Sequence, residues 1–208
     1  MNRRRLLGWL GLLPFVAVAA PVVEHVERRA RRRVVRPLGG AHRGYFPNVT
    51  LRTHENRRVR LYDDLLAGRN VLLHFFRADP DDAAQRDATT NLRRLQTLLG
   101  DRCGRDVFLY SFSLTPERDT PGRLARHHAG CGAGPGWTFL TGAPRDIEFC
   151  RFRFGFVDAD PRLARRKPRQ WNVILLGNEP HQRWTAANVL SRPEVLLDLV
   201  NRVAGLKA

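Results

Sequence analysis

Polar and apolar positions follow one helical or strand-like period after another from Tyr45 to Val203. Val49–Thr53 and Arg58–Tyr62 alternate around the turn-prone His54-Glu55-Asn56, which predicts a hairpin. Asn70–Phe76 is a continuous apolar run of strand length, the pattern of a strand buried on both faces. Asp82 to Leu99 carries Leu92, Leu95, Leu98 and Leu99 near helical spacing and ends at Gly100, predicting a helix with a glycine stop. Asp106–Phe112 is a second buried strand. Thr120 then reads as an N-cap with Pro121 at the first helical position, opening a helix to about His128 that Gly130 ends. Trp137–Leu140 predicts a strand, and Pro144–Phe154 a helix with acidic residues in its first turn. Asn172–Leu176 and Gln182–Trp184 flank a Gly-Asn-Glu-Pro turn as a closing hairpin, and Arg192–Val203 is a final amphipathic helix. Pattern alone gives an α/β sandwich without internal repeats.

The 208 residues suit one domain plus a tail. The formal charge of +16 raises the question of nucleic acid, but half of it belongs to residues 1–44, with ten Arg and two Glu. No recognition helix, RNP-like aromatic strand or finger spacing accompanies it, so nucleic-acid binding is not expected. The N-terminus joins Arg3-Arg4-Arg5 to an apolar run from Leu6 to Ala20 with small residues at its end. Residues 1–23 therefore read as a signal peptide, twin-arginine-like, or as an N-terminal membrane anchor. Either reading places the domain in a bacterial periplasm. Residues 24–44 read as an Arg-rich tether able to contact an anionic membrane surface, and residues 45–208 as the folded domain. Cys103, Cys131 and Cys150 form no CxxC, and an odd count implies no closed disulfide framework.

Two motifs, Ser113-Leu-Thr-Pro-Glu-Arg-Asp-Thr-Pro121 and Gly136-Trp-Thr-Phe-Leu-Thr-Gly142, resemble those of the Sco/SenC family of cytochrome oxidase assembly proteins. The likeness extends through Tyr45-Phe-Pro-Asn48, Leu61-Tyr-Asp-Asp-Leu65, Leu98-Leu-Gly-Asp101, Gly104-Arg-Asp-Val107 and Gly177-Asn178-Glu179-Pro180 with Arg183-Trp184. The resemblance implies a thioredoxin-like fold, a central mixed sheet flanked by helices with an added N-terminal β-hairpin. It also implies a copper site of two loop cysteines and a distal histidine, a soft donor set suited to Cu(I) and able to cycle to a disulfide. Here Phe76–Asp87 holds no thiol. Matching from Phe75-Phe76 puts the first cysteine near Asp79, Pro80 and Asp81. Matching back from Asn91-Leu92 puts the second between Ala83 and Gln85, and counting back from Gly177-Asn178 puts the histidine at Gln170. The frame is retained and the ligand types are not.

Three functions remain open. The first is an exported accessory protein of oxidase or copper-site assembly that binds a protein partner and has lost the metal. The second keeps metal or redox chemistry with substitute residues, His127, His128 and Cys131, of which His127 and Cys131 would share a face if the helix passed Gly130. The third is a basic periplasmic binding module without a copper function. Asp79, Asp81 and Asp82 could ligate a hard cation, but acidic residues just before a helix are also its natural caps. No Ser-His-Asp pattern or phosphate-cradling glycine loop is present, and the thioredoxin-type active-site cysteines are missing, so the reading leans away from an enzyme; copper stays open as a cofactor only under the second reading.

Overall fold

The computed structural model describes residues 44–78, 82–156 and 172–206. The expected signal or anchor and the tether to residue 43 lie outside them, as do Asp79, Pro80, Asp81 and Gln170. Seven strands form one sheet in the order β2-β1-β5-β4-β3-β6-β7: β1 Thr50–Thr53, β2 Arg58–Arg60, β3 Asn70–Phe76, β4 Val107–Ser113, β5 Trp137–Gly142, β6 Val173–Asn178 and β7 Arg183–Asn188. β3, β4 and β5 run parallel, with Asn70 opposite Val107 and Leu109 opposite Trp137. β1 lies antiparallel to β5, β6 antiparallel to β3 and β7 antiparallel to β6. Parallel neighbours require crossovers, and the helices α1 (Ala83–Leu99) and α2 (Pro121–Gly130) supply them. The helices α3 (Pro144–Arg153) and α4 (Pro193–Ala204) complete the fold. This is the expected thioredoxin-like arrangement with its N-terminal hairpin.

Strand periodicity divides the core. Leu72 and Phe76 of β3 face α1, α2 and α4, joining Ala88, Leu92, Leu95, Leu124, Trp137 and Val200. Val71, Leu73 and Phe75 face the other side, with Leu61, Tyr62, Ile147 and Cys150. Burying one such leucine contributes roughly 1.5–3 kcal/mol, so each layer holds the sheet from its own side. Asp82 caps α1 by accepting from the Gln85 N–H at 3.2 Å, and Thr120 caps α2 by accepting from the Arg123 N–H at 3.3 Å with Pro121 in its first turn.

Two local expectations needed correction. Tyr62 does not end a strand; Leu61–Leu66 is a π-helical turn closed by the Ala67 N–H on the Tyr62 carbonyl at 2.9 Å. Its start is capped from a distance, because Asn48 Oδ1 accepts from the N–H groups of Tyr62 (3.0 Å) and Asp63 (3.2 Å). Leu98 lies off the buried stripe of α1 and is exposed. Gly130 ends α2 as expected, and the Cys131 N–H makes the closing bond to the His127 carbonyl at 2.9 Å.

Candidate functional site

The parallel strands end together at Phe76 and Ser113, and the loop from β3 to α1 begins there. The Ser113–Pro121 motif builds the floor of this end. Asp119 is fully buried; its Oδ2 accepts from Ser113 Oγ at 2.5 Å and from Thr115 Oγ1 at 2.9 Å, while Oδ1 pairs with Arg123 Nε at 3.2 Å. Arg123 then donates from Nη2 to the Ala78 carbonyl at 2.8 Å. A carboxylate after β4 thus fixes, through one guanidinium, the backbone where β3 enters its loop.

The other motifs are also frame contacts. A Cβ on Gly136 would lie 2.2 Å from the Gly104 nitrogen, and Gly136 has φ +82°, so the two glycine motifs meet at a backbone crossing. Trp137 Nε1 donates to Ser111 Oγ at 2.9 Å. Buried Glu179 accepts from the Tyr62 hydroxyl at 2.8 Å and from the Gly68 N–H at 2.7 Å, tying Leu61–Leu65 to the Gly177–Pro180 turn. The ring of Trp184 covers Gly177, where a Cβ would lie 2.0 Å away.

At the mouth of the loop, Gln85 occupies one of the positions matched to a family thiol. It is 3% exposed, and its Oε1 accepts from the Arg77 N–H at 3.1 Å, closing the loop with an amide. Ala83 is exposed and carries no donor atom on its side chain. Asp82 serves α1 as a cap.

His127, His128 and Cys131 do not converge. The His127 ring stacks on Phe76 at 5.2 Å and meets Phe139 edge-on, whereas the His128 ring stacks on His54 at 4.1 Å. The Cys131 thiol bonds the His128 carbonyl at 3.3 Å. Among the described residues no three His, Cys, Asp or Glu side chains are grouped to hold a metal ion. Burial holds all three imidazoles below their usual pKa, at His54 with the help of the nearby His128 charge. Burial also pushes the thiols of Cys103, Cys131 and Cys150 up, Cys150 most, so each stays protonated and weakly nucleophilic near neutrality. The three cysteines are free.

Between α1 and α2 lies a groove of about 850 Å³, lined among others by Arg77, Gln85, Arg93, Arg123, Arg126 and His127. Sequence reading missed it because the arginines were absorbed into an overall basic composition. Their spacing was a signal: Arg86 and Arg93 are seven apart on α1, and Arg123 and Arg126 three apart on α2, so each pair shares a helix face. Among the described residues no helix is long and apolar enough to cross a membrane.

No protein-family model matches the chain, and no curated protein matches it in sequence. Solved structures do match in fold. A SCO1/SenC family lipoprotein from Bacillus anthracis str. Ames superposes with a TM-score of 0.60 at 20% identity, over 76% of this chain and 94% of its own. BsSco, a member of the Sco family of cytochrome c oxidase assembly proteins, gives 0.59 at 22%, over 76% and 92%. Yeast Sco1 with copper bound gives 0.58 at 14%, over 76% and 91%. At these identities the likeness shows the fold.

Proposed function

We propose that the chain is an exported Sco/SenC-like protein, accessory to cytochrome oxidase or copper-site assembly, that acts by binding a protein partner. The observation carrying this reading is the pairing of a retained frame with an altered loop. Asp119, Glu179, Gly136 and Gly177 hold the fold together through motif contacts, while Gln85, at a thiol position, caps the loop. Yeast Sco1 has been solved with copper bound, and BsSco belongs to an oxidase assembly family. The donors described here do not fit copper: Ala83 offers none, Gln85 offers a hard amide oxygen already bonded to Arg77, and the histidines diverge. No step through the metal is therefore assigned to this chain. Asp79, Pro80, Asp81 and Gln170, which match the remaining ligand positions, offer no soft ligand either. Residues 1–23 direct export or anchor the chain, and residues 24–44 tether the domain at the membrane surface, in the periplasm.

The test is complementation. Deleting the gene lowers oxidase activity in membranes of the source cell, and a chain with Cys103, Cys131 and Cys150 all replaced by alanine restores it. Unchanged oxidase in the deletion strain overturns the assembly role. A folded thiol-free chain that fails to restore activity shows that a thiol reaction is needed.

A further inference from the structure

The groove between α1 and α2 carries a charge pattern that the partner-binding reading does not use. Among the described residues five arginines line it (Arg77, Arg86, Arg93, Arg123 and Arg126), and no Asp or Glu does. Asp119 lies beneath and pairs with Arg123, and Asp82 is engaged as the α1 cap. Arg93 and Arg126, both exposed, form no ion pair among the described residues. Arg93 crosses to the carboxyl end of α2, where its Cδ and Nη1 would lie 3.3 Å from a Cβ on Gly132.

Two buried nitrogens in the same wall lack partners among the described residues. Gln85 is 3% exposed, and with Oε1 engaged by Arg77 its Nε2 finds no acceptor among the described residues. His127 Nε2 is likewise buried and unbonded. Buried polar groups are rarely left unsatisfied, so an unpartnered nitrogen in a groove wall is a place for a group from outside to bond.

From this we infer a binding site for a small oxyanion of two or more negative charges, of the phosphate-ester or polycarboxylate class. Guanidinium forks match the paired oxygens of either group, so Arg93, Arg123 and Arg126 supply the charge. Gln85 Nε2 and, in its Nε2–H tautomer, His127 supply neutral donors deeper in the wall. About 850 Å³ exceeds the need of inorganic phosphate and falls in the usual range for small organic ligands. The site is independent of the assembly role and stands or falls separately from it.

The test titrates the full chain with pyrophosphate and with citrate, at constant ionic strength set by chloride, by calorimetry and by the imidazole signals in NMR. Saturable one-site binding is expected, with the His127 signal titrating at higher pH in the complex because the anion favours its charged form. Gln85→Glu and the pair Arg93→Ser with Arg126→Ser each weaken binding about tenfold or more, the loss of a charge-assisted hydrogen bond. Arg94→Ser, on the same helix but outside the groove, leaves it unchanged. Only one of the two anions saturating identifies the oxygen chemistry selected and supports the site. Non-saturating heats, equal loss in Arg94→Ser, or undiminished binding in both groove variants with native circular dichroism overturn it.

Discussion

Replacing Asp119 with alanine tests whether the Ser113–Pro121 motif is a structural element. The substitution strips the acceptor from two hydroxyls, Ser113 Oγ at 2.5 Å and Thr115 Oγ1 at 2.9 Å, and the partner from Arg123 at 3.2 Å. Hydrogen bonds to a charged group are worth about 1.5–3 kcal/mol each, and breaking a buried pair from one side costs about 3–5 kcal/mol. These contributions overlap. The Arg123 side chain is 34% exposed, so water recovers part of its share, whereas Ser113 is fully buried and recovers none. The expected loss is about 3–4 kcal/mol. Urea unfolding followed by circular dichroism reads it as a midpoint lowered by about 1.5–2 M, taking a slope near 2 kcal/mol/M. Asp119→Asn, which keeps one carbonyl acceptor, loses roughly half as much. A loss below about 1 kcal/mol in Asp119→Ala, with an unchanged slope, would refute the reasoning.

Gly136→Ala drives a methyl group to 2.2 Å from the Gly104 backbone at φ +82°, so the protein is expected to lose several kcal/mol or fail to accumulate folded; thermal melting that matches the parent contradicts the crossing. Stability also falls in mild acid. His54, His127 and His128 have folded pKa values below the ordinary 6.5, so the unfolded chain binds more protons as pH drops through that value, and the advantage present above it is lost toward the lower folded values. Urea midpoints at pH 7.5 and 5.5 should therefore differ, the lower pH being weaker, and His127→Phe should narrow the gap; equal midpoints in the parent rule out the burial assigned to the imidazoles.

Much of the frame was legible because local signals agreed with tertiary ones. The apolar run at Asn70–Phe76 could only be a central strand, and Thr120-Pro121 marked a helix start that the structure keeps. Leu61–Leu66 was misread because Arg58–Tyr62 alternates like a strand, while the contact that ends the strand comes from Asn48, fourteen residues before Tyr62. The same limit applies at the site. Asp119 and Glu179 stood inside motifs, but their partners lie across the fold, and Glu179 reaches Tyr62 over 117 residues of chain. His127 and Cys131 were singled out by spacing alone, and spacing does not encode that Phe76 takes one ring face and His54 stacks on the neighbouring histidine. Gln85 stands out in the sequence only as the place matched to a family thiol, yet it closes the loop and leaves its amide nitrogen without a partner among the described residues.

The central proposal is that a Sco-like frame works here without copper ligands. Its most direct test is a Cu(I) titration of the reduced full chain in competition with a chromophoric Cu(I) chelator. The account predicts that the chelator keeps the metal at every protein ratio. One equivalent of Cu(I) withdrawn from the chelator and held by the folded chain would contradict it.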